Sequence, residues 1–260
     1  MGSATTQGPL WGRQSKDWAV IQEPTGNAGY AYALRFLKLN PGDYLLDIGC
    51  GSGLFASVAS TTGAYITGID ASEALISEAR QRGSTANFAT GEMEELPFSD
   101  GTFDVVCGFN SFQYAANVQN ALTEAYRILK PGGKIVVMIW GNKEDCEAAT
   151  YLAAVGSLLP PPAPGAPGPF ALSENQSLEK TLELVGFNII SNEDIPTVWD
   201  YPDTSTALKG LLATGPASRA IEHSGLQKVQ DTVLQAMQPY IQNNEHVVYH
   251  NKFRIVTGER

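Results

Sequence analysis

Cysteine, histidine and positive charge are all scarce in this 260-residue chain, and each shortage closes off a class of protein. The three cysteines (Cys50, Cys107, Cys146) are odd in number, far apart and without a CxxC pair. That pattern excludes a disulfide framework, predicts reduced thiols and, with so few histidines, leaves no metal site to expect. Lysine and arginine number 17 against 27 acids, a net charge of -10, and no basic cluster interrupts the acidic background. Such a surface repels phosphate backbones, so nucleic acid is not an expected partner. No run of about eighteen apolar residues and no cationic leader occurs, so neither a membrane span nor a signal peptide is predicted, and the chain is expected to be cytoplasmic.

What the chain does have is the rhythm of an α/β protein between residues 43 and 140. Short apolar runs at 43–48, 64–70, 85–89, 103–109 and 134–140 alternate with helical periodicity at 52–62 and 72–82, and with Val118, Ala121, Leu122, Ala125 and Leu129. That is the signature of crossover units feeding a parallel sheet. Beyond residue 150 the character changes. Six prolines fall between Pro160 and Pro169, which excludes helix and central strand there. A helix is predicted over 174–185, opened by a capping box of Ser173 and Gln176 and stopped by Gly186, then a strand over 187–195. Residues 203–243 read as helices interrupted by glycine and proline, and 247–257 as a closing strand.

The first apolar run ends in Asp47-Ile48-Gly49-Cys50-Gly51-Ser52-Gly53. Glycines at this spacing let a backbone turn sharply and approach a ligand at the start of a helix. In a dinucleotide-binding dehydrogenase the third glycine comes one residue later, where Leu54 stands. The second strand closes on Gly68-Ile69-Asp70, whose carboxylate can accept both hydroxyls of a ribose. An acidic segment, Thr90-Gly91-Glu92-Met93-Glu94-Glu95, precedes the strand Phe103-Asp104-Val105-Val106. These pieces point to an adenosyl sulfonium rather than a nicotinamide.

In order and spacing, LLDIGCGSG, GID, GEMEELPFSDGTFDVV and LKPGGKIVV resemble the class I S-adenosylmethionine-dependent methyltransferases, in the branch that includes quinone and other small-molecule enzymes. The resemblance covers residues 43–140, touches Trp11-Gly12 and Lys16-Asp17-Trp18, and fades across 141–245. It implies a doubly wound, Rossmann-like, seven-stranded sheet, mostly parallel with an antiparallel last strand, plus a small helical cap. The expected divisions are an N-terminal helical segment closing the cofactor site (1–42), the S-adenosylmethionine-binding core (43–145), a proline-rich lid (146–172), a core helix and strand (173–195), a helical cap (196–245) and the last core strand (246–260).

Carried over by position, the resemblance implies that Asp47, Gly49, Cys50, Gly51 and Gly53 form the cofactor loop under the methionine and ribose, and that Asp70 holds the ribose diol. Ala71 packs on adenine, Glu92 takes its amino group, Met93 meets a ring nitrogen through its backbone, Asn110 lies near the methionine ammonium, and Trp18 closes the site. Relatives often carry Asp where Glu92 stands. A sulfonium needs alignment more than acid–base help, so a base is optional; Tyr114, His223, His246 and His250 are the candidates, Tyr114 first because it follows the fourth strand. Trp11, Trp140, Trp199 and Tyr201 are candidate walls for a partly apolar, small-molecule acceptor. A cofactor-binding protein without methyl transfer, and a nicotinamide-dependent oxidoreductase, remain the alternatives, and the oligomeric state is left open.

Overall fold

Leu45, Leu46 and Ile48 are fully buried in the first strand, β1 (Tyr44–Ile48), because a central parallel strand is covered on both faces. The computed structural model describes residues 2–161 and 167–260. The strands that follow are β2 (Tyr65–Asp70), β3 (Asn87–Thr90), β4 (Phe103–Phe109), β5 (Leu129–Trp140), β6 (Asn188–Tyr201) and β7 (Val247–Glu259). They form one seven-stranded sheet in the order β3-β2-β1-β4-β5-β7-β6. Pairings among β1 to β5 are parallel, and β7 runs antiparallel to both neighbours, β5 and β6. The order reverses direction between β1 and β4, which sets the switch point where open α/β sheets bind ligands.

The helices are α1 (Ala4–Gly12), α2 (Ser15–Asp17), α3 (Asn27–Leu37), α4 (Leu54–Ala59), α5 (Glu73–Gln81), α6 (Val118–Ile128), α7 (Ala149–Gly156), α8 (Ser177–Val185), α9 (Thr204–Leu212), α10 (Gly215–Ser224) and α11 (Leu226–Met237). Their starts are written in the sequence: the Ser72 hydroxyl accepts from the Leu75 N–H at 3.3 Å, Asn117 from Gln119 at 3.0 Å, and Asp203 from Thr206 at 2.7 Å. Alternate residues of the central strands supply two cores. Val136, Met138 and Trp140 join α3, α4 and α7 on one face, while Ile135, Val137 and Ile139 join α6 and α8 on the other. Helices α9 to α11 extend the first core through Leu211, Ala217, Val229, Val233 and Met237, beside Trp199, Tyr249 and Phe253. The cap is thus continuous with the sheet's own hydrophobic interior.

Several local expectations are corrected. The sixth strand does not stop at Ile195; it runs through Pro196 to Tyr201, paired throughout with β7. It is the sheet's edge strand, where a missing N–H removes no ladder bond. The cap therefore begins at Thr204 rather than 196. The capping box at Ser173 does not form, because that hydroxyl donates to the Trp140 carbonyl at 2.6 Å and Asn175 and Gln176 take left-handed conformations; α8 starts at Ser177. Strand β5 starts at Leu129, with the Lys130–Gly133 segment carried as an irregularity between the Phe103 and Val105 pairings. Of the proline-rich segment, Pro162 and Pro164 lie outside the described residues. Among the described residues no helix is long and apolar enough to cross a membrane.

Candidate active site

A single cavity opens at the carboxyl ends of β1, β2, β4 and β5. It encloses about 1030 Å³ of space, open solvent at its mouth included. One end is built on the glycine loop. Gly49 and Gly51 have φ of +71° and +56°, a region closed to most side chains. A Cβ on Gly49 would stand 2.3 Å from the Ser111 Cβ, and one on Gly51 would stand 2.8 Å from Glu23 Oε1 and 3.2 Å from Trp18 Nε1. Gly53, at φ +77°, is squeezed instead between Ala79 and Phe88, where it lets α4 and α5 close on the sheet.

Asp70 ends β2 in the cavity wall. Its Oδ2 accepts from the Gly51 N–H at 3.0 Å and its Oδ1 from the Ser72 N–H at 2.8 Å, which leaves lone pairs on both oxygens for a ligand. Burial raises this carboxyl to about 6, against the pull of those backbone donors. Trp18, Ala71, Met93, Asn110 and Tyr114 line the same cavity. Asn110 takes φ +51° while its N–H donates to the Met138 carbonyl at 2.7 Å, an unusual conformation fixed by the ladder between β4 and β5. The Trp18 Nε1 and Asn110 Oδ1 are buried without partners, a set of unsatisfied polar atoms ringed around the glycine loop. A polar ligand with both donors and acceptors, as S-adenosylmethionine is, fits that ring.

Other expected site residues lie elsewhere. Asp47 is fully buried beneath the loop with Oδ1 unpartnered and its carboxyl raised by burial; it does not line the cavity. The Cys50 sulfur faces Gly68 of β2, 2.8 Å from where a Cβ there would be. Glu92 departs most from expectation. Its carboxylate accepts from the Ala4 N–H at 2.7 Å, the Glu94 N–H at 3.0 Å and the Ser3 hydroxyl at 3.4 Å, so it secures the start of α1 instead of facing the cavity. His223 is exposed on α10 with Nδ1 2.9 Å from the Leu158 carbonyl, and His250 is exposed on β7; neither lines the cavity, so neither serves as its base. His246 pairs with Asp200 at 2.6 Å, also outside it. Tyr114 does line the cavity, but burial pushes its hydroxyl up to about 12, which keeps it a donor at neutral pH rather than a base.

Glu23 is the residue that sequence reasoning missed. It is 4% exposed, lines the cavity, and accepts from the Ser52 N–H at 2.9 Å and the Ser52 hydroxyl. Arg82 closes the arrangement: one guanidinium nitrogen donates to Glu23 at 2.7 Å, to the Ser52 hydroxyl at 2.7 Å and to the Ala19 carbonyl at 3.1 Å. The N-terminal segment is thereby clamped to the glycine loop. Burial outweighs these partners and lifts Glu23 to about 7. Only the pairing with Arg82, 59 positions away, gives Glu23 its meaning, and no local motif carries that information.

The other end of the cavity is aromatic. Trp140, Trp199, Phe253 and Tyr151 line it, and the Trp140 ring lies 5.5 Å from Trp199 and 5.3 Å from Phe253. Trp11 bridges the two ends, with its ring 4.8 Å from Trp18 and 5.1 Å from Tyr114, both edge-on. Tyr201 is not in the wall; its hydroxyl donates to Gln22 at 2.8 Å within the core.

Residues 46–137 match the methyltransferase domain family. The chain is 32% identical over 130 residues to a demethylmenaquinone methyltransferase of Tropheryma whipplei (strain Twist), across 49% of this chain and 54% of that protein. Against a malonyl-[acyl-carrier protein] O-methyltransferase of Serratia marcescens it is 33% identical over 97 residues, 37% of this chain and 38% of that one. The chain thus spans about half or less of the length of these curated relatives. Among solved structures, the [4+2]-cyclase SpnF shares the fold with a TM-score of 0.58 at 22% identity, over 89% of this chain and 80% of that one. The matched stretch begins inside β1 and ends inside β5, so it is the parallel half of the sheet, with the glycine loop and Asp70, that matches the methyltransferase domain.

Proposed function

We propose that this chain transfers a methyl group from S-adenosylmethionine to a small, partly apolar acceptor. The observation that carries the reading is that Asp70 and the aromatic cluster of Trp140 and Trp199 wall opposite ends of one cavity, so a donor and an acceptor can meet without crossing solvent. When bound, the cofactor supplies an already activated sulfonium methyl. The protein's own part is then to orient, enclose and keep water out.

In this reading Asp70 holds the ribose diol, Ala71 and Met93 flank the adenine, and the turn at Gly49 and Gly51 leaves space for the methionine portion. Asp70, raised only to about 6 and so mostly ionised above neutral pH, gives this end a negative charge suited to a cationic sulfonium. Tyr114, between the two ends, donates its hydroxyl hydrogen to orient the acceptor. Residues 2–42 close the donor end, and the helices from Thr204 onward, with α7, close the acceptor end. The names of the relatives do not choose the acceptor, since one is named for demethylmenaquinone and another for malonyl-[acyl-carrier protein].

Calorimetry with S-adenosylmethionine, S-adenosylhomocysteine and NAD tests the donor: binding of both sulfur compounds and not of NAD is expected, and NAD binding alone sinks the proposal. Release of S-adenosylhomocysteine over a panel of small acceptors tests the transfer. A bound cofactor that is never turned over would leave a binding protein in place of an enzyme.

A further inference from the structure

The walls of the cavity constrain the charge of the acceptor, an inference that rests on the methyl-transfer reading. Among the described residues, the lining contains no lysine, arginine or histidine; its ionisable acids are Glu23 and Asp70. Asp47 adds a third buried carboxyl just beneath the loop. The Arg82 guanidinium behind Glu23 is engaged by Glu23, Ser52 and the Ala19 carbonyl, and so is not available to a ligand. A carboxylate or phosphate brought into this space would lose its hydration, meet no cationic side chain in the described wall and face the Asp70 carboxylate.

The acceptor end offers apolar area and few hydrogen-bonding groups. Trp140, Trp199, Phe253 and Leu152 line it. The Tyr151 hydroxyl is already held, donating to the Leu211 carbonyl at 2.7 Å beside the Thr214 hydroxyl, also at 2.7 Å. The Trp199 Nε1 is different: it is buried and has no partner among the described residues. A lone indole N–H on an otherwise apolar wall matches one hydroxyl or carbonyl oxygen on a hydrocarbon body.

We propose that the acceptor is an uncharged, mainly hydrocarbon molecule bearing a hydroxyl or carbonyl oxygen, and that the cavity rejects carboxylates and phosphates of the same shape. The test uses the full chain saturated with S-adenosylhomocysteine and three probes on one skeleton: farnesol, farnesoate and farnesylamine. Binding is followed by tryptophan fluorescence at about pH 7.5, where the acid is ionised. The alcohol is expected to bind at least about tenfold more tightly than the carboxylate. Leu152→Lys, which sets a cation in the wall, should move that ratio about tenfold towards the carboxylate.

Equal or tighter binding of farnesoate or farnesylamine, no detectable binding of farnesol, or an unchanged ratio in Leu152→Lys overturns the inference. Saturation with S-adenosylhomocysteine is measured first, by calorimetry. Failure there strikes the donor reading, whereas saturation followed by indifference to probe charge strikes this inference alone.

Discussion

The two ends of the cavity are made in different ways. At the end proposed to hold the donor, the polar groups sit in backbone turns and strand ends from Gly49 to Asn110, on successive units of one parallel sheet. At the end proposed for the acceptor the wall is side chains brought together from β5, α7, β6 and β7. A site made of backbone conformation requires glycines at fixed spacing, whereas a site made of packed side chains requires only that the volumes fit. The first kind tolerates little change and is written locally; the second is free to vary.

Substitutions can break or sharpen this contrast. The largest effect is expected at Glu23, where the donor end depends on a distant residue. Glu23→Ala leaves Arg82 facing a gap at the loop and should cost about 2–4 kcal/mol of stability, a range set below that of a fully enclosed pair because Arg82 is a quarter exposed. Thermal or denaturant unfolding checks this, and an unchanged midpoint would remove the clamp from the account. The pH dependence runs in a defined direction. Glu23 lies at about 7 in the folded chain against 4.5 ordinarily, so the folded state binds the extra proton and stability falls as pH rises through that window. In Glu23→Gln that slope should flatten.

Next in size is Asp70→Ala, expected to weaken S-adenosylhomocysteine binding by about 1.5–3 kcal/mol while leaving the binding of an apolar probe such as farnesol nearly untouched. Because the Asp70 carboxyl lies near 6, cofactor affinity should rise as pH climbs from about 5 to 7.5 and the group becomes a full acceptor. Calorimetry across that range should give a flat profile for Asp70→Asn. An equal loss of both ligands in a folded Asp70→Ala protein would mean that the two ends are not separable. The smallest effect is expected at their junction. Tyr114→Phe should slow turnover about five- to tenfold, the worth of one orienting hydrogen bond, with cofactor affinity unchanged. Equal turnover would take the hydroxyl out of the reaction.

How far the sequence disclosed all this follows the same division. Strands β1 to β5 were readable because apolar runs and crossover helices alternate regularly, and Ser72 and Asn117 are local capping signals. Strand β6 was cut short at Pro196, since an edge position, which alone makes proline harmless there, is a property of the finished sheet. Ser173 carried a capping pattern that its bond to the Trp140 carbonyl overrode. At the site, Asp70 and the Gly49–Gly51 turn were legible from spacing. Glu92 was misjudged because the sequence shows an acid at the adenine position without showing that the Ala4 N–H reaches it first. Glu23 carried no signal at all until Arg82 arrived beside it.

Helix α1 touches both ends at once. Its start is tied to Glu92, its Gly8 lies against the Ala71 carbonyl where any Cβ would come within 2.3 Å, its Trp11 packs on Gly215 at the head of α10, and Arg13 just beyond it pairs with Glu222 of the same cap helix. One helix therefore contacts the walls of both ends of the cavity. In the language of linkage, whatever free energy a bound donor contributes to seating this helix is returned in equal measure to the acceptor, and the reverse holds as well. Any cooperativity between two chemically unlike ligands would then need no relay through the sheet, because they share a wall.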